Sequence, residues 1–312
     1  VIFQTLLLVL AVDPSTMPKV GTVDERFQSF NVEMVEVTGG RFWAPYKSGK
    51  ETAAPAGPAL ATPGIDPSLF RMRTPIDLKN ARLRRLAAAL GPAYVRVSGT
   101  WANSTYFWDS NAPAPTTPPA GYGGVLTRAE WKGVIDFSKA VNAKIITSFA
   151  ISDGVRDAKG VWTSEQAKQF VAFTKASGGS IAAAEMFNEP SFASMGGAPK
   201  GYDAMAYGRD FKVFRAFAKE AAPDMLILGP GSVGEATQMG SGLSGIRSED
   251  MLRESGPGVD VFSYHYYGGV SKRCSGMGGV PAVTPDSALS EKWLAGTDKD
   301  EAFYAALRDK FE

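Results

Sequence analysis

The residues best suited to chemistry in this 312-residue chain stand where apolar runs end. The run Ala184-Glu185-Met186-Phe187 breaks into Asn188-Glu189-Pro190, and Pro190 keeps a strand or helix from simply continuing. The Glu189 carboxyl then projects over the C-terminal edge of a strand, where parallel α/β sheets of both open and closed form carry their sites. A carboxyl so placed suits general acid or base work, and the Asn188 amide beside it can donate to a hydroxylated ligand. The plainer alternative is a helix cap or a strand-end salt bridge. Other runs are similar: Glu33 and Glu36 lie in the first, Arg96-Val97-Ser98-Gly99-Thr100 closes the second, and Ser263-Tyr264-His265-Tyr266-Tyr267 closes the sixth. Tyr and His together offer donors and flat apolar faces, which suit sugar rings, although the run also reads as an aromatic cluster closing one end of a sheet.

Composition removes several kinds of chemistry. His265 and Cys274 are the only histidine and cysteine, which leaves no internal disulfide, no Cys-based zinc site and no His-rich metal motif. Neither a metal nor any other cofactor is expected. Thirty-three Lys and Arg against 32 Asp and Glu give a net charge of +1, so no global field favours nucleic acid or an acidic membrane surface. Residues 1–12 (VIFQTLLLVLAV) are apolar but shorter than the roughly 20 residues of a spanning helix, and read as a strand or as part of a clipped signal peptide. Asn103-Ser104-Thr105 matches a short N-glycosylation pattern.

The elements that must position these residues alternate along the chain. Strands are predicted at Phe30–Val37, Ala93–Val97, Lys144–Ala150, Ala182–Phe187, Met225–Leu228 and Val259–Tyr264, with helices at Ile76–Leu90, Arg128–Ala140, Ser164–Ala176, Ala204–Ala221 and about Asp298–Phe311. Phe211, Phe214, Phe217 and Ala221 form a helical stripe that reads as core. Two long loops, Tyr46–Pro67 and Ser110–Gly124, each follow the C-terminal end of a strand. Repeated β-α units imply an α/β fold around a parallel sheet, either an open doubly wound sheet or a (β/α)8 TIM barrel seen through about six units.

Tyr94–Thr100 (YVRVSGT), Phe187–Ser191 (FNEPS) and Val261–Gly268 (VFSYHYYG), in that order, resemble the second strand, the acid/base motif and the sixth strand of the family 79 glycoside hydrolases, the heparanase and β-glucuronidase group. The resemblance covers about residues 20–312. It implies a (β/α)8 catalytic barrel with a small β-sandwich, to which residues 1–19 would contribute a strand, and hydrolysis of β-linked glucuronides with retention. It further implies Glu189 as general acid/base, Asn188 on the sugar 2-hydroxyl, and Glu33, Thr100, His265 and Tyr267 as sugar-binding residues. The acid role needs a pKa raised toward the working pH by a neighbouring carboxylate. Retention needs that second carboxylate as nucleophile, and the family places it at the end of strand seven; it is expected beyond residue 312, with strand eight and the rest of the sandwich, which would leave the chain as given inactive.

The expected partner is a glucuronide or glycosaminoglycan-type glycan, with near-neutral charge favouring exo action, and the expected address is secreted or periplasmic. The basic run Lys79, Arg82, Arg84 and Arg85 reads as a solvated outer face. One alternative is a carbohydrate-binding barrel without turnover. A weaker one is a dinucleotide-binding oxidoreductase, from the GxGxxG pattern at Gly229–Gly234, which in the barrel reading is the loop after strand five.

Overall fold

The computed structural model describes residues 13–19, 21–45, 67–236, 245–274 and 282–311. The readings of residues 1–12 and of nearly all of the Tyr46–Pro67 loop lie outside the described residues. In chain order the elements are β1 (Ser29–Glu33), α1 (Met34–Thr38), β2 (Gly40–Trp43), β3 (Phe70–Arg73), α2 (Ala81–Ala88), β4 (Ala93–Ser98), β5 (Thr105–Trp108) and β6 (Gly124–Thr127). There follow α3 (Arg128–Ala140), β7 (Ala143–Ser148), α4 (Glu165–Ala176), β8 (Ile181–Glu185), α5 (Ala204–Ala221), β9 (Leu226–Val233), α6 (Ser248–Ser255), β10 (Val261–His265), α7 (Pro285–Ala288) and α8 (Glu291–Phe311).

Local chemistry accounts for most boundaries. Thr127 caps α3 reciprocally with Glu130, Asn80 accepts from the backbone N–H groups of Arg82 and Leu83 to open α2, and Asp203 does the same for Ala206 at α5. The Phe211, Phe214 and Phe217 stripe of α5 is buried as its spacing requires. Behind it the Asp210 carboxylate, with no exposed surface, pairs with Arg156 and accepts from Tyr202 Oη at 3.0 Å and Trp162 N at 3.1 Å. That pairing ties the β7–α4 loop to α5.

Six strands form one sheet in the order β1-β4-β7-β8-β9-β10, and every neighbouring pair is parallel. The sheet is curled, and contacts across it show how strongly. Arg96 on the second strand of that order and His265 on the sixth approach to 3.4 Å. Strands about 4.8 Å apart would hold those two roughly 19 Å from each other in a flat sheet, beyond the reach of the side chains. Arg96, Glu185 and His265 come from the second, fourth and sixth strands, and alternate strands share an inner layer in a (β/α)8 barrel. The architecture is a half-barrel of mixed α/β type.

Several expectations are corrected. The first strand stops at Glu33, and Glu36 belongs to α1, because its Oε2 accepts from Glu33 N at 3.1 Å and turns the chain into a helix. A Glu-x-x-Glu pair thus overrides the β-branched run that follows it. Gly229-Pro230-Gly231-Ser232-Val233 is the second half of β9, not a loop after it and not a phosphate-binding turn into a helix. Room explains the glycine: a Cβ at Gly231 would lie 2.9 Å from Glu185 Oε1 on the neighbouring strand. The short pairs β2–β3 and β5–β6 flank the two long loops, where the sequence reading has no strand. Among the described residues no helix is long and apolar enough to cross a membrane.

Candidate active site

The C-terminal ends of the parallel strands converge on one cluster of charge. Arg96, from β4, donates through Nη2 to Glu185 Oε2 at 2.6 Å and to Asn188 Oδ1 at 2.9 Å. Glu185 ends β8 with its side chain only 3% exposed, so this is a buried ion pair. Three residues on, the chain turns sharply: Glu189 sits in the left-handed region at φ 51°, ψ 59°, directly before Pro190. Such a conformation is costly for a residue with a Cβ and persists only where the surroundings fix it.

Asn103 supplies much of that fixing. Its Nδ2 donates to Asn188 O at 2.9 Å and its Oδ1 accepts from Asn188 N at 2.8 Å, a two-point clamp on the peptide before Glu189. Asn103 is fully buried, which removes it as a glycosylation acceptor in the folded chain. The carboxylate of Glu189 is held from the far side by β10. His265 Nδ1 lies 2.9 Å from Glu189 Oε1, and Tyr267 Oη donates to the same oxygen at 2.6 Å.

Glu33 enters from β1, in register with Ser98 of β4. A Cβ on Gly99 would fall 1.6 Å from Glu33 Oε2, so the carboxyl occupies the space a side chain there would fill. Gly99 has φ 97° and ψ 175°, a backbone region essentially reserved for glycine. Gly99→Ala is expected to cost about 1–3 kcal/mol from backbone strain alone and to displace Glu33. A thermal unfolding midpoint equal to that of the wild type would show that the two do not share this space.

The charges shift one another in a consistent pattern. Burial is the largest influence on Glu33 and raises its pKa to about 7, assisted by the negative charges of Glu189 and Glu36 and opposed by Arg96. Burial also works against ionised Glu185 and Glu189, but Arg96 and His265 outweigh it at the first, and His265 and Tyr267 at the second. Both carboxyls are therefore held below their ordinary values. His265 is pushed the other way, to about 9, because its bonds to Glu185 and Glu189 exceed the burial that disfavours its charge. Two buried polar atoms, Glu33 Oε2 and Arg96 Nε, have no hydrogen-bond partner among the described residues.

The structure thus joins Glu189, His265 and Tyr267 directly, ties the Asn188 side chain to the cluster through Arg96, and brings Glu33 within electrostatic reach of Glu189. Thr100 opens the short 3-10 turn Thr100–Ser104 after Gly99, and no hydrogen bond among the described residues links it to the cluster. Arg96, Glu185 and Asn103 hold the cluster together, and the sequence reading gave none of them a role in it beyond placing Arg96 at a strand end. A signal for the first two is present there: single charges of opposite sign inside otherwise apolar strands need each other. Among the described residues no three His, Cys, Asp or Glu side chains converge as metal ligands.

No family model matches the chain, and no curated protein matches it in sequence. Among solved structures it is similar to a family 51 α-L-arabinofuranosidase from Bifidobacterium longum, with 16% identity over 75% of this chain and 44% of that one and a TM-score of 0.45. It is also similar to a glycoside hydrolase family 44 xyloglucanase from Paenibacillus polymyxa, with 14% identity over 58% of this chain and 50% of that one and a TM-score of 0.37. A family 30 xylanase from Talaromyces cellulolyticus gives 13% identity over 60% and 49% and a TM-score of 0.38. The chain spans about half the length of these structures or less. All three are glycoside hydrolases; the likeness to family 79 rests on the sequence motifs.

Proposed function

We propose that this chain carries the general acid/base of a retaining glycoside hydrolase acting on β-linked glucuronides. The observation that carries the reading is Glu189 itself: a carboxylate on a strained turn beyond the fourth parallel strand, clamped by Asn103 through Asn188 and gripped by His265 and Tyr267. Glu189 protonates the leaving oxygen and later activates water, and Asn188 and Glu33 hold sugar hydroxyls. The double displacement also needs a second carboxylate about 5–5.5 Å away as nucleophile, and the resemblance assigns it to a seventh strand. The glucuronide itself is drawn from the three strand motifs.

The test is made on the full-length protein with nitrophenyl β-glucuronide beside the matching β-glucoside and β-xyloside. Faster turnover of the glucuronide is expected. Turnover confined to the neutral glycosides would keep the chemistry and replace the substrate. Turnover of none, with saturable binding of an oligosaccharide, would favour a carbohydrate-binding barrel; the two contacts by which His265 and Tyr267 hold the Glu189 carboxyl below its ordinary value support that second reading.

A further inference from the structure

His265 is the only histidine in the chain, and its ring stands between two carboxylates. Nδ1 is 2.9 Å from Glu189 Oε1 and Nε2 is 3.5 Å from Glu185 Oε1. The other groups facing it are Tyr267 Oη, which donates to Glu189 Oε1, and Arg96 Nη2, 3.4 Å from Nε2 and bonded to Glu185. Glu33 of β1 acts on Glu189 through its charge. With Tyr267 Oη and a protonated Nδ1 both donating to Oε1, Glu189 is an ionised carboxylate with no proton to give. An acid must nonetheless be available when the leaving group departs, and Nδ1–H is within one hydrogen bond.

We propose that His265 is a positioning residue that stores the proton Glu189 delivers, with Glu185 as the fixed counter-ion that keeps it charged in the resting site. The inference rests on Glu189 being the acid of the proposed reaction. In the step, the Nδ1–H bond breaks, its electron pair stays on nitrogen, and an O–H bond forms at Glu189 Oε1. Imidazolium and carboxylate become imidazole and carboxylic acid, and total charge is unchanged. The ring left behind is the Nε2–H tautomer, with Glu185 Oε1 3.5 Å from that nitrogen. A sugar that displaces water from over the cluster drives the transfer, because a drier site favours the neutral pair over the ion pair. Against this stands one alternative arrangement: a neutral ring in the Nδ1–H tautomer, with Nε2 accepting from Arg96.

A single histidine makes the experiment direct. Long-range proton–nitrogen spectra of the nitrogen-15-labelled, tag-free protein report one imidazole, and its two nitrogen shifts distinguish imidazolium from each neutral tautomer. The expected result is a doubly protonated ring at pH 7 that titrates above pH 8, with Glu189→Gln lowering the midpoint by about one unit or more. A neutral Nδ1–H ring at pH 7, or a midpoint near 6.5 that Glu189→Gln leaves in place, would overturn the proposal. The wild-type spectrum needs no variant to fold. In the full-length enzyme, His265→Gln is expected to slow glucuronides with poor leaving groups about 10- to 100-fold, and those with good leaving groups much less, because only the former need the acid. Equal slowing of both would assign His265 to sugar binding alone. An inactive wild type would instead remove the glycosidase reading, with the titration still reporting on the ring.

Discussion

In the full-length protein, Glu189→Gln is expected to reduce turnover of β-glucuronides with poor leaving groups by about 10²–10⁴-fold, the usual contribution of one general acid/base. The amide keeps the size and most hydrogen bonds of the carboxylate but cannot cycle a proton. With a nitrophenolate leaving group, departure needs little protonation, so the first half-reaction slows less and the glycosyl-enzyme accumulates. Azide, which needs no general base, is expected to restore turnover as glycosyl azide. Equal turnover of wild type and variant on a poor leaving group would take Glu189 out of the mechanism. The fold is expected to survive, because Asn103 holds the turn through the backbone of Asn188 and does not touch the Glu189 carboxyl.

Arg96→Ala is expected to have the largest effect on stability. Glu185 is 3% exposed and Arg96 is 17% exposed at the side chain, and removing one partner of such a pair typically costs about 3–5 kcal/mol. The cause is the carboxylate left behind, which burial penalises once the guanidinium is gone. A double variant, Arg96→Met with Glu185→Gln, is therefore expected to be more stable than the two single effects added together. Additive losses would mean that the two charges do not depend on each other.

The pH profile checks the same pair. The folded pKa of Glu185 lies below the unfolded 4.5, so its stabilising contribution is full above about 4.5 and is lost as pH falls through the depressed folded value. In Arg96→Ala the largest opposing charge is gone and only His265 is left to oppose burial, so the folded value rises and the variant loses less stability than the wild type as pH falls below 4.5. His265 adds a second limb in the wild type. Its folded pKa of about 9 exceeds the ordinary 6.5, so its contribution is complete below 6.5 and is lost as pH rises through 9. Unfolding midpoints between pH 3 and 10 read both. A wild-type midpoint flat across the upper range would show that His265 is not charged in the folded state.

What was readable from the sequence follows from periodicity and punctuation. The α5 helix is bounded as its Phe stripe and Pro223 require, and all six parallel strands lie within or beside the predicted runs. Glu189 was legible because a proline one residue later forbids regular structure, whatever surrounds it. His265 and Tyr267 were legible as a cluster of donors at one strand end, and the structure brings both of them to the Glu189 carboxyl. Boundaries were harder. The pattern MVEV reads as a strand from its β-branched residues, whereas a capping box built on Glu33 and Glu36, without the usual Ser or Thr to signal it, opens α1 there. The Gly-Pro-Gly run reads as a loop because the object Gly231 makes room for, the Glu185 carboxylate, lies on another strand.

The sequence by itself therefore determined the order of β-α units, the amphipathic faces, and the position of the acid/base candidate, all of which depend on neighbours a few residues away. Tertiary structure alone decided what that candidate is joined to. Arg96 and Glu185 are 89 residues apart, Glu189 and His265 are 76 apart, and Asn103 and Asn188 are 85 apart. No local pattern ranks those pairings, because each exists only once the sheet has curled far enough to bring its second, fourth and sixth strands onto one inner layer. The same curling buries most of the cluster's surface and brings its charges together, so the ionisation of Glu33, Glu185, Glu189 and His265 is a property of the folded sheet and not of the residues that carry it.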